Sequence, residues 1–145
     1  MKKKLLILGI IALVLITGCG QGSKDITVKE EKMVCTRTGN MNNLEMDFNY
    51  EVYYEGNNVN KVQTTEKITS EDTSVLEQSK QQIENLYSNF DNIENYNYNV
   101  VIEGNTLTST TDINYEKIDI DELLEIDSSI SQLLNDDNKI DLEKI

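Results

Sequence analysis

The 145-residue sequence predicts an α+β domain, in which an antiparallel sheet of about five strands packs against one central helix and a C-terminal helix. Two observations lead to this prediction. Polar and apolar residues alternate with period two in several segments bounded by Gly and Asn, which is typical of strands joined by tight turns. In two other segments the apolar residues recur at helical spacing. We expect a meander in the first half of the sheet and a hairpin in the second.

The first half of the domain is predicted to contain three strands. A β-prone segment from Lys32 to Thr38 ends at a Gly-Asn pair, and the segment from Leu44 to Tyr54 then alternates strictly. Residues 55–58 contain Gly and two Asn, which tolerate positive φ in a turn, and β-prone residues resume from Val59 to Thr69. The alternation places the even-numbered residues of 44–54 toward the core and Tyr53 on the opposite face.

The second half is predicted to contain a helix, a hairpin and a further helix. The hairpin is indicated by alternation on both sides of the turn sequence Glu103-Gly104-Asn105. Polar and acidic residues ahead of the first apolar stripe favour a helix start there. The predicted elements are a helix over 71–90, strands over 96–102 and 107–115, and a helix over 119–135 with a break around Asp127.

The N-terminus has the pattern of a bacterial lipoprotein signal. Three lysines at 2–4 precede an unbroken run of apolar or Gly residues from Leu5 to Ile16, which is too short to span a bilayer as a helix. The run ends in Ile16-Thr17-Gly18-Cys19, which resembles a lipobox. The resemblance implies cleavage between Gly18 and Cys19 and lipidation of the Cys19 sulfur. We therefore expect a signal peptide over 1–18, a lipidated Cys19 with a flexible tether over 19–30, and one domain over 31–145.

Composition limits the possible chemistry. The chain has 26 Asp+Glu, 13 Lys+Arg and no His, so its net charge of −13 argues against nucleic acid as a partner, and a histidine base or metal ligand is excluded. Paired carboxylates, such as Glu45 with Asp47 or Asp119 with Asp121, are expected to be solvated or to cap a helix. The segment 135–141 lacks the ligands that a calcium loop needs at its ends. We therefore expect neither an enzyme nor a metal or other cofactor.

The order of elements points to a family. Signal, lipobox, hairpin, helix, hairpin and helix, with Tyr115-Glu116-Lys117-Ile118-Asp119 leading into Leu123-Leu124, resemble the YehR-type small bacterial lipoproteins. The resemblance covers residues 33–145 and implies an α+β domain on a lipid anchor, without an implied reaction. In that family the chain continues into a last helix, whereas residues 141–145 supply only a helix start. This difference predicts that the domain is truncated at its C-terminus.

Cys35 raises a separate question. If Cys19 is lipidated, Cys35 is the other cysteine of the sequence and has no intramolecular partner. Two interpretations stay open. Cys35 is either the remnant of a disulfide whose partner belongs to a missing segment, or a buried free thiol on a strand.

The function expected from these observations is a non-enzymatic binding or interaction domain, anchored by the lipid on Cys19 to the outer face of the bacterial cytoplasmic membrane. Its partner would be a component of the cell envelope. The alternative is an acidic immunity or inhibitor lipoprotein that captures a basic toxin or hydrolase, because strong acidity favours electrostatic capture. Tyr53 is the candidate contact residue, since tyrosine is enriched at interfaces and this one faces away from the predicted core.

Overall fold

The computed structural model describes residues 19–21, 30–41 and 44–145. The strands are β1 (Cys19–Gln21), β2 (Glu31–Met41), β3 (Leu44–Glu55), β4 (Asn58–Thr69), β5 (Tyr96–Glu103) and β6 (Thr106–Asn114). The α-helices are α1 (Thr73–Tyr87) and α2 (Ile120–Ile126). Short 3₁₀ turns occur at Ser88–Phe90, Ser128–Leu133 and Leu142–Lys144.

The strands form one antiparallel sheet in the order β1-β2-β3-β4-β6-β5. The five long strands comprise a meander and a hairpin, and helices pack alongside them, so the predicted α+β class is confirmed. The chain passes from β4 through α1 to β5 and then turns back, which places β6 beside β4 and β5 at the edge of the sheet. The two hairpins therefore share one continuous sheet.

Both hairpin turns use the predicted glycines. Gly56 has φ of 59° and Gly104 has φ of 61°, a conformation that a residue without Cβ adopts at little cost. A bulge follows the first turn, because the β3–β4 register shifts between Tyr53 and Tyr54. Near the shift, the carbonyl oxygen of Asn60 accepts a hydrogen bond of 2.7 Å from the backbone N–H of Tyr115. This bond ties the first hairpin to the segment that follows β6.

Each α-helix begins after an aspartate that caps it. Asp72 accepts a hydrogen bond of 2.9 Å from the backbone N–H of Ser74, and Asp119 accepts bonds from the first turn of α2. The second helix is shorter than predicted. It ends at Ile126, and Asp127 caps a 3₁₀ turn instead, which is the position where the sequence predicted a break.

The core consists of three clusters between the sheet and the covering layer. The first joins α1 to β5 and β6, where Leu76 and Leu107 are both 0 % exposed. The second lies under α2 and is centred on Leu123. The third is formed by the first hairpin and the residue Ile140. The buried residues are Leu76, Val100 and Leu107 in the first cluster, Ile93, Ile113, Ile118 and Leu123 in the second, and Val52, Val59 and Ile140 in the third.

Residues 139–142 lie against the first hairpin. Ile140 is 2 % exposed, and its carbonyl oxygen accepts a hydrogen bond of 2.9 Å from the backbone N–H of Val59. Ile140 also bridges to Leu134, and Asp141 bridges to Asn58. The helix start expected at 141–145 is a 3₁₀ turn over Leu142–Lys144. Leu142 packs against the third cluster, whereas Ile145 is exposed.

Candidate binding face of the sheet

One face of the sheet is covered by residues 70–95 and 115–145, which we call the helical layer, and the other face is left open. Along β6 the odd-numbered residues from Leu107 to Ile113 are buried, whereas the even-numbered residues between them are half-buried. The antiparallel register carries this division across the other long strands. None of the open-face side chains that the structure describes is buried. We call this surface the open face.

A row of uncharged side chains crosses the middle of the open face. The register aligns one residue from each long strand in this central row, namely Thr36, Asn49, Thr65, Thr110 and Asn99. Hydroxyl and amide groups can both donate and accept hydrogen bonds. Neighbouring strands lie about 4.8 Å apart, so the central row presents neutral donors and acceptors over roughly 19 Å.

Tyr53, the predicted contact residue, lies toward one end of the open face between two lysines. The Nζ of Lys61 is 4.3 Å from the centroid of its ring, and the Nζ of Lys32 is 5.6 Å away. The Tyr53 hydroxyl donates a hydrogen bond of 2.8 Å to Oε2 of Glu51, and Lys32 donates one of 2.9 Å to the same oxygen. Hydrogen bonds and cation–π contacts therefore hold the tyrosine ring in place.

These contacts also shift the pKa values of the cluster. The hydrogen bond from Lys32, and after it the one from Tyr53, lowers the pKa of the Glu51 carboxyl. The hydrogen bond to Glu51 in turn raises the pKa of Lys32 and that of Tyr53. Each shift favours the form present near neutrality, in which Lys32 is an ammonium, Glu51 is a carboxylate and Tyr53 is a neutral hydrogen-bond donor.

The open face is concave next to the cluster formed by Tyr53, Glu51, Lys32 and Lys61. A depression of about 450 Å³ extends over β3, β4, β6 and β5. The side chain of Gln63 donates a hydrogen bond to the carboxylate of Asp112 within it. The polar side chains that line the depression include Asn49, Thr65, Thr110 and Asn99 from the central row, together with Glu51, Gln63 and Asp112 from the next. The depression can therefore hold a ligand that forms several hydrogen bonds.

The covered face contains a half-buried carboxyl group, Glu66 of β4. Burial raises its pKa, and a hydrogen bond of 2.9 Å donated by the Tyr50 hydroxyl opposes that rise. Burial, with the nearby Glu66 carboxylate as the second cause, raises the pKa of Tyr87 to about 12. In the described part of the chain, the titratable groups coupled to Glu66 are tyrosines. A glycosidase needs two carboxyl groups facing each other, and Glu66 does not provide that arrangement.

The paired carboxylates at 45/47 and 119/121 are either exposed or cap a helix. Asp119 caps α2, while Glu45 and Asp47 are exposed on the open face. In the segment 135–141, the side chain of Asn135 accepts hydrogen bonds from the backbone N–H groups of residues 137 and 139, which closes a tight turn. Over the ranges that the structure describes, no group of three or more His, Cys, Asp or Glu side chains is arranged to hold a metal ion.

The residues predicted for lipid attachment lie at the limit of the described structure. Gly18 and the rest of the predicted signal peptide lie outside the described residues, and for Cys19 the structure describes only the backbone. Residues 19–21 were expected to belong to a flexible tether, but they form β1 and pair with β2. Residues 22–29, the greater part of the predicted tether, lie outside the described residues.

Cys35 differs from both interpretations of the sequence. It is disulfide-bonded, so the expectation of a cysteine without a partner is wrong for this structure. The other cysteine of the sequence is Cys19, and its Cα lies opposite that of Cys35 in the β1–β2 register. One sulfur atom cannot carry both a disulfide and the thioether of a lipid anchor. Lipidation of Cys19 and a disulfide between these two cysteines are therefore mutually exclusive states.

The sequence predicted that Tyr53 faces away from the core, as it does, but it did not predict the surface around this residue. The lysines at 32 and 61 and the central row were not predicted as a group, because their proximity depends on which strands are neighbours and in which register. A sequence signal exists for two of the five residues of the row, Asn99 and Thr110. Thr and Asn recur at alternate positions of 97–99 and 106–110, on the side opposite to Tyr98, Val100 and Leu107.

Comparison with known proteins places the chain in a family. A family model described as a protein of unknown function, DUF1307, matches residues 35–145. The chain belongs to this family. The NMR structure of the Escherichia coli YehR protein matches this DUF1307 chain with a TM-score of 0.54 and 23% sequence identity, covering 81% of this chain and 84% of that one. The predicted resemblance to YehR-type proteins is thus confirmed, and at this identity the structural match shows a shared fold.

No curated protein matches the chain. None of the helices in the described part of the chain has the length and apolar character that a membrane span requires.

Proposed function

We propose that this DUF1307 member is a non-enzymatic binding domain that engages a component of the cell envelope through the open face. In this proposal a lipid on Cys19 holds the domain at the outer face of the bacterial cytoplasmic membrane. The basis for the anchor is the sequence from Lys2 to Cys19, with its charged start, apolar run and lipobox-like end. Two acyl chains would give stable attachment, since each buried methylene contributes about 0.8 kcal/mol.

The observation that carries the binding proposal is the concave, uncovered and polar side of the sheet. The helical layer covers one face of the sheet, and the other face carries a depression of about 450 Å³. The strands around this depression offer a ligand preformed contacts. The tyrosine at its end is already fixed by Glu51, Lys32 and Lys61, so little side-chain entropy is lost when a ligand contacts it.

Photo-crosslinking on living cells tests the binding proposal. A benzophenone amino acid at position 53 or 99 places the probe on the open face, and the same residue at Gln81 places it on the exposed side of α1 as a matched control. Adducts are expected from positions 53 and 99 and not from 81. If positions 53 and 99 yield no adduct, or if all three positions yield the same adduct, the open face is not the binding surface.

Thiol counting combined with fatty-acid labelling tests the anchor. If Cys19 is lipidated, the denatured mature protein should incorporate labelled palmitate and contain one thiol that reacts with maleimide before any reduction. If Cys19 and Cys35 form a disulfide, the protein should contain no reactive thiol before reduction and two afterwards. The variant Cys19→Ser should abolish the label. A mature protein with the second pattern and no label would contradict the anchor and leave the open face as a separate question.

The charge distribution favours a second candidate, an acidic immunity or inhibitor protein. Residues 70–95 and 115–145, which form the helical layer, carry 16 acidic and 4 basic side chains, a net charge of −12, compared with −16 (10 basic and 26 acidic side chains) for the predicted mature chain over 19–145. A surface of one sign attracts a basic protein and speeds its association at low ionic strength. In this alternative the partner binds the helical layer.

The same crosslinking set separates the two candidates. Capture of a basic protein through the helical layer predicts adducts from position 81, and these should weaken as salt increases because exposed charges are screened beyond about 10 Å at 0.1 M. Binding through the open face predicts adducts from positions 53 and 99 that depend less on salt.

A further inference from the structure

We infer that the ligand of the open face is a neutral glycan, recognised through hydroxyl and amide groups along the central row. This inference rests on the proposed function, because it names the chemical class of the ligand for the same face. It follows from three features of that face: its charge, the free hydrogen-bonding capacity of its side chains, and the chemistry of its centre.

The first feature is the absence of charge in the central row. All five of its residues are Thr or Asn, although 27% of the residues in this chain are charged. An anionic ligand would be opposed by the net charge of −13, and a cationic ligand would be drawn to the acidic helical layer. The two carboxylates that line the depression, Glu51 and Asp112, already accept hydrogen bonds from Lys32 and Tyr53 and from Gln63. An uncharged ligand is therefore the class that the charges around the central row do not oppose.

The second feature is unused hydrogen-bonding capacity. Among the described residues, the side chains of Thr65, Thr110, Asn97 and Asn99 form no hydrogen bonds to other protein groups. Three of them lie in the central row, and all four line the depression. Their donors and acceptors are therefore met by water in the free protein. A polyhydroxylated ligand can replace those waters with groups that donate and accept in the same way.

The third feature distinguishes a glycan from a protein partner. Protein interfaces usually place aromatic, Met or Arg residues at a buried centre and polar residues at the rim. The open face has the reverse arrangement, because Thr65 and Thr110 occupy the centre while the aromatic ring of Tyr53 lies toward one end. A sugar chain fits this arrangement, since its hydroxyls can exchange hydrogen bonds with the Thr and Asn side chains at the centre.

The shape agrees with a chain of more than one sugar. The depression extends over four neighbouring strands, which spans roughly 14 Å at about 4.8 Å per strand. Its polar lining is continuous across those strands. A single sugar would leave part of this polar lining in contact with water, whereas an oligosaccharide lying across the strands would contact all of the lining.

The test is a binding measurement on the full chain purified in detergent, with sugars of defined composition. The probes are tetramers of N-acetylglucosamine, glucose, mannose and galactose, and a hyaluronan tetramer serves as the charged control because it carries acetamido groups and carboxylates together. We expect saturable binding of at least one neutral tetramer, and at least tenfold weaker binding of hyaluronan than of the neutral tetramer that binds most tightly.

Matched variants place the binding on the central row. The double substitution Thr65→Val and Thr110→Val keeps the shape and β propensity of both residues and removes their hydroxyls, so it should weaken neutral-sugar binding at least tenfold. The substitution Thr73→Val makes the same chemical change on the exposed start of α1 and should leave binding unchanged. Thermal unfolding of all variants verifies that the valines have not unfolded the domain.

Each outcome has a defined meaning. Sugar binding that is lost with the double variant supports the inference. Failure of all four neutral tetramers at millimolar concentration, while positions 53 and 99 still crosslink to a partner, overturns the glycan and leaves the binding face standing. Failure of both experiments overturns the proposed function as well. Sugar binding that the double variant does not change, or that hyaluronan matches, also overturns the inference.

Discussion

The two faces of β6 have the same backbone and very different surroundings. Leu107 points into the cluster under α1 and is 0 % exposed, whereas Thr108, the next residue, is half-buried on the open face. Adjacent residues of a strand thus belong to different parts of the molecule, one that holds the fold together and one that meets the ligand in our proposal. Substitutions on the two faces should accordingly have separable effects on stability and on binding.

The largest expected effect is on the covered face. Leu107→Ala should lower the free energy of unfolding by about 2–5 kcal/mol, because it removes buried methyl groups and leaves a cavity. Thr108→Ala is the matched control and should change it by about 0.5 kcal/mol or less. Urea denaturation of the two variants measures the difference. Equal losses of stability would contradict the assignment of Leu107 to the core and of Thr108 to an uncovered face.

The next effect concerns the segment that covers the first hairpin. Ile140→Val should cost about 0.5–1.5 kcal/mol, since Ile140 is 2 % exposed against Val52 and Val59. Lys139→Ala changes an exposed neighbour and should be close to neutral. Hydrogen exchange gives a second readout. The N–H of Val59, which bonds to Ile140, should exchange faster in the Ile140 variant, and unchanged exchange there would contradict the packing described above.

A smaller effect is expected at the start of α1. Asp72→Ala should cost about 1 kcal/mol, because it removes the acceptor for the Ser74 N–H. The hydrogen bonds from Ser74 lower the pKa of Asp72, so this contribution is present above the unfolded pKa of the carboxyl and is lost as the pH falls through its folded value. Asp72→Asn, which retains an acceptor oxygen, is the control and should lose less stability than alanine does.

The smallest effect is a difference in pH dependence at Glu66. Its folded pKa is raised from the ordinary value of 4.5, so its contribution to stability is fully present below that value and is lost as the pH rises through the folded pKa. Glu66→Gln should therefore gain stability relative to the wild type between about pH 4.5 and neutrality. Tyr50→Phe removes the bond that lowers this pKa and should extend the window upward. Parallel pH profiles for wild type and Glu66→Gln would contradict the burial of this carboxyl.

Local patterns were sufficient to predict most of the fold. The alternation in 44–54, the Gly turns at 56 and 104 and the helical stripe in 71–90 all depend on residues close in sequence, and each matches an observed element. Parity alone also identified Tyr53 as an open-face residue. Successive side chains of a strand point to opposite faces of the sheet. Hydrophobic periodicity within one strand is therefore enough to predict which face a side chain lies on.

What could not be predicted depends on contacts between distant segments. The central row requires the β4–β6 pairing, which joins residues some 45 positions apart, and no local pattern specifies it. Residues 141–145 were expected to start an α-helix, but Asp141 bridges to Asn58 of the first hairpin and a 3₁₀ turn follows it. The backbone pairing of residues 19–21 with β2 was likewise a tertiary effect.

The position of Ile140 has a consequence for the order in which the domain can be completed. The end of the first hairpin is buried by a residue that lies 81 positions after Val59. A chain that emerges from its N-terminus, from a ribosome or across a membrane, therefore delivers Val52 and Val59 well before the residue that covers them. The first hairpin can be fully packed only when nearly the whole chain is present, so the domain should gain its stability late and in one step.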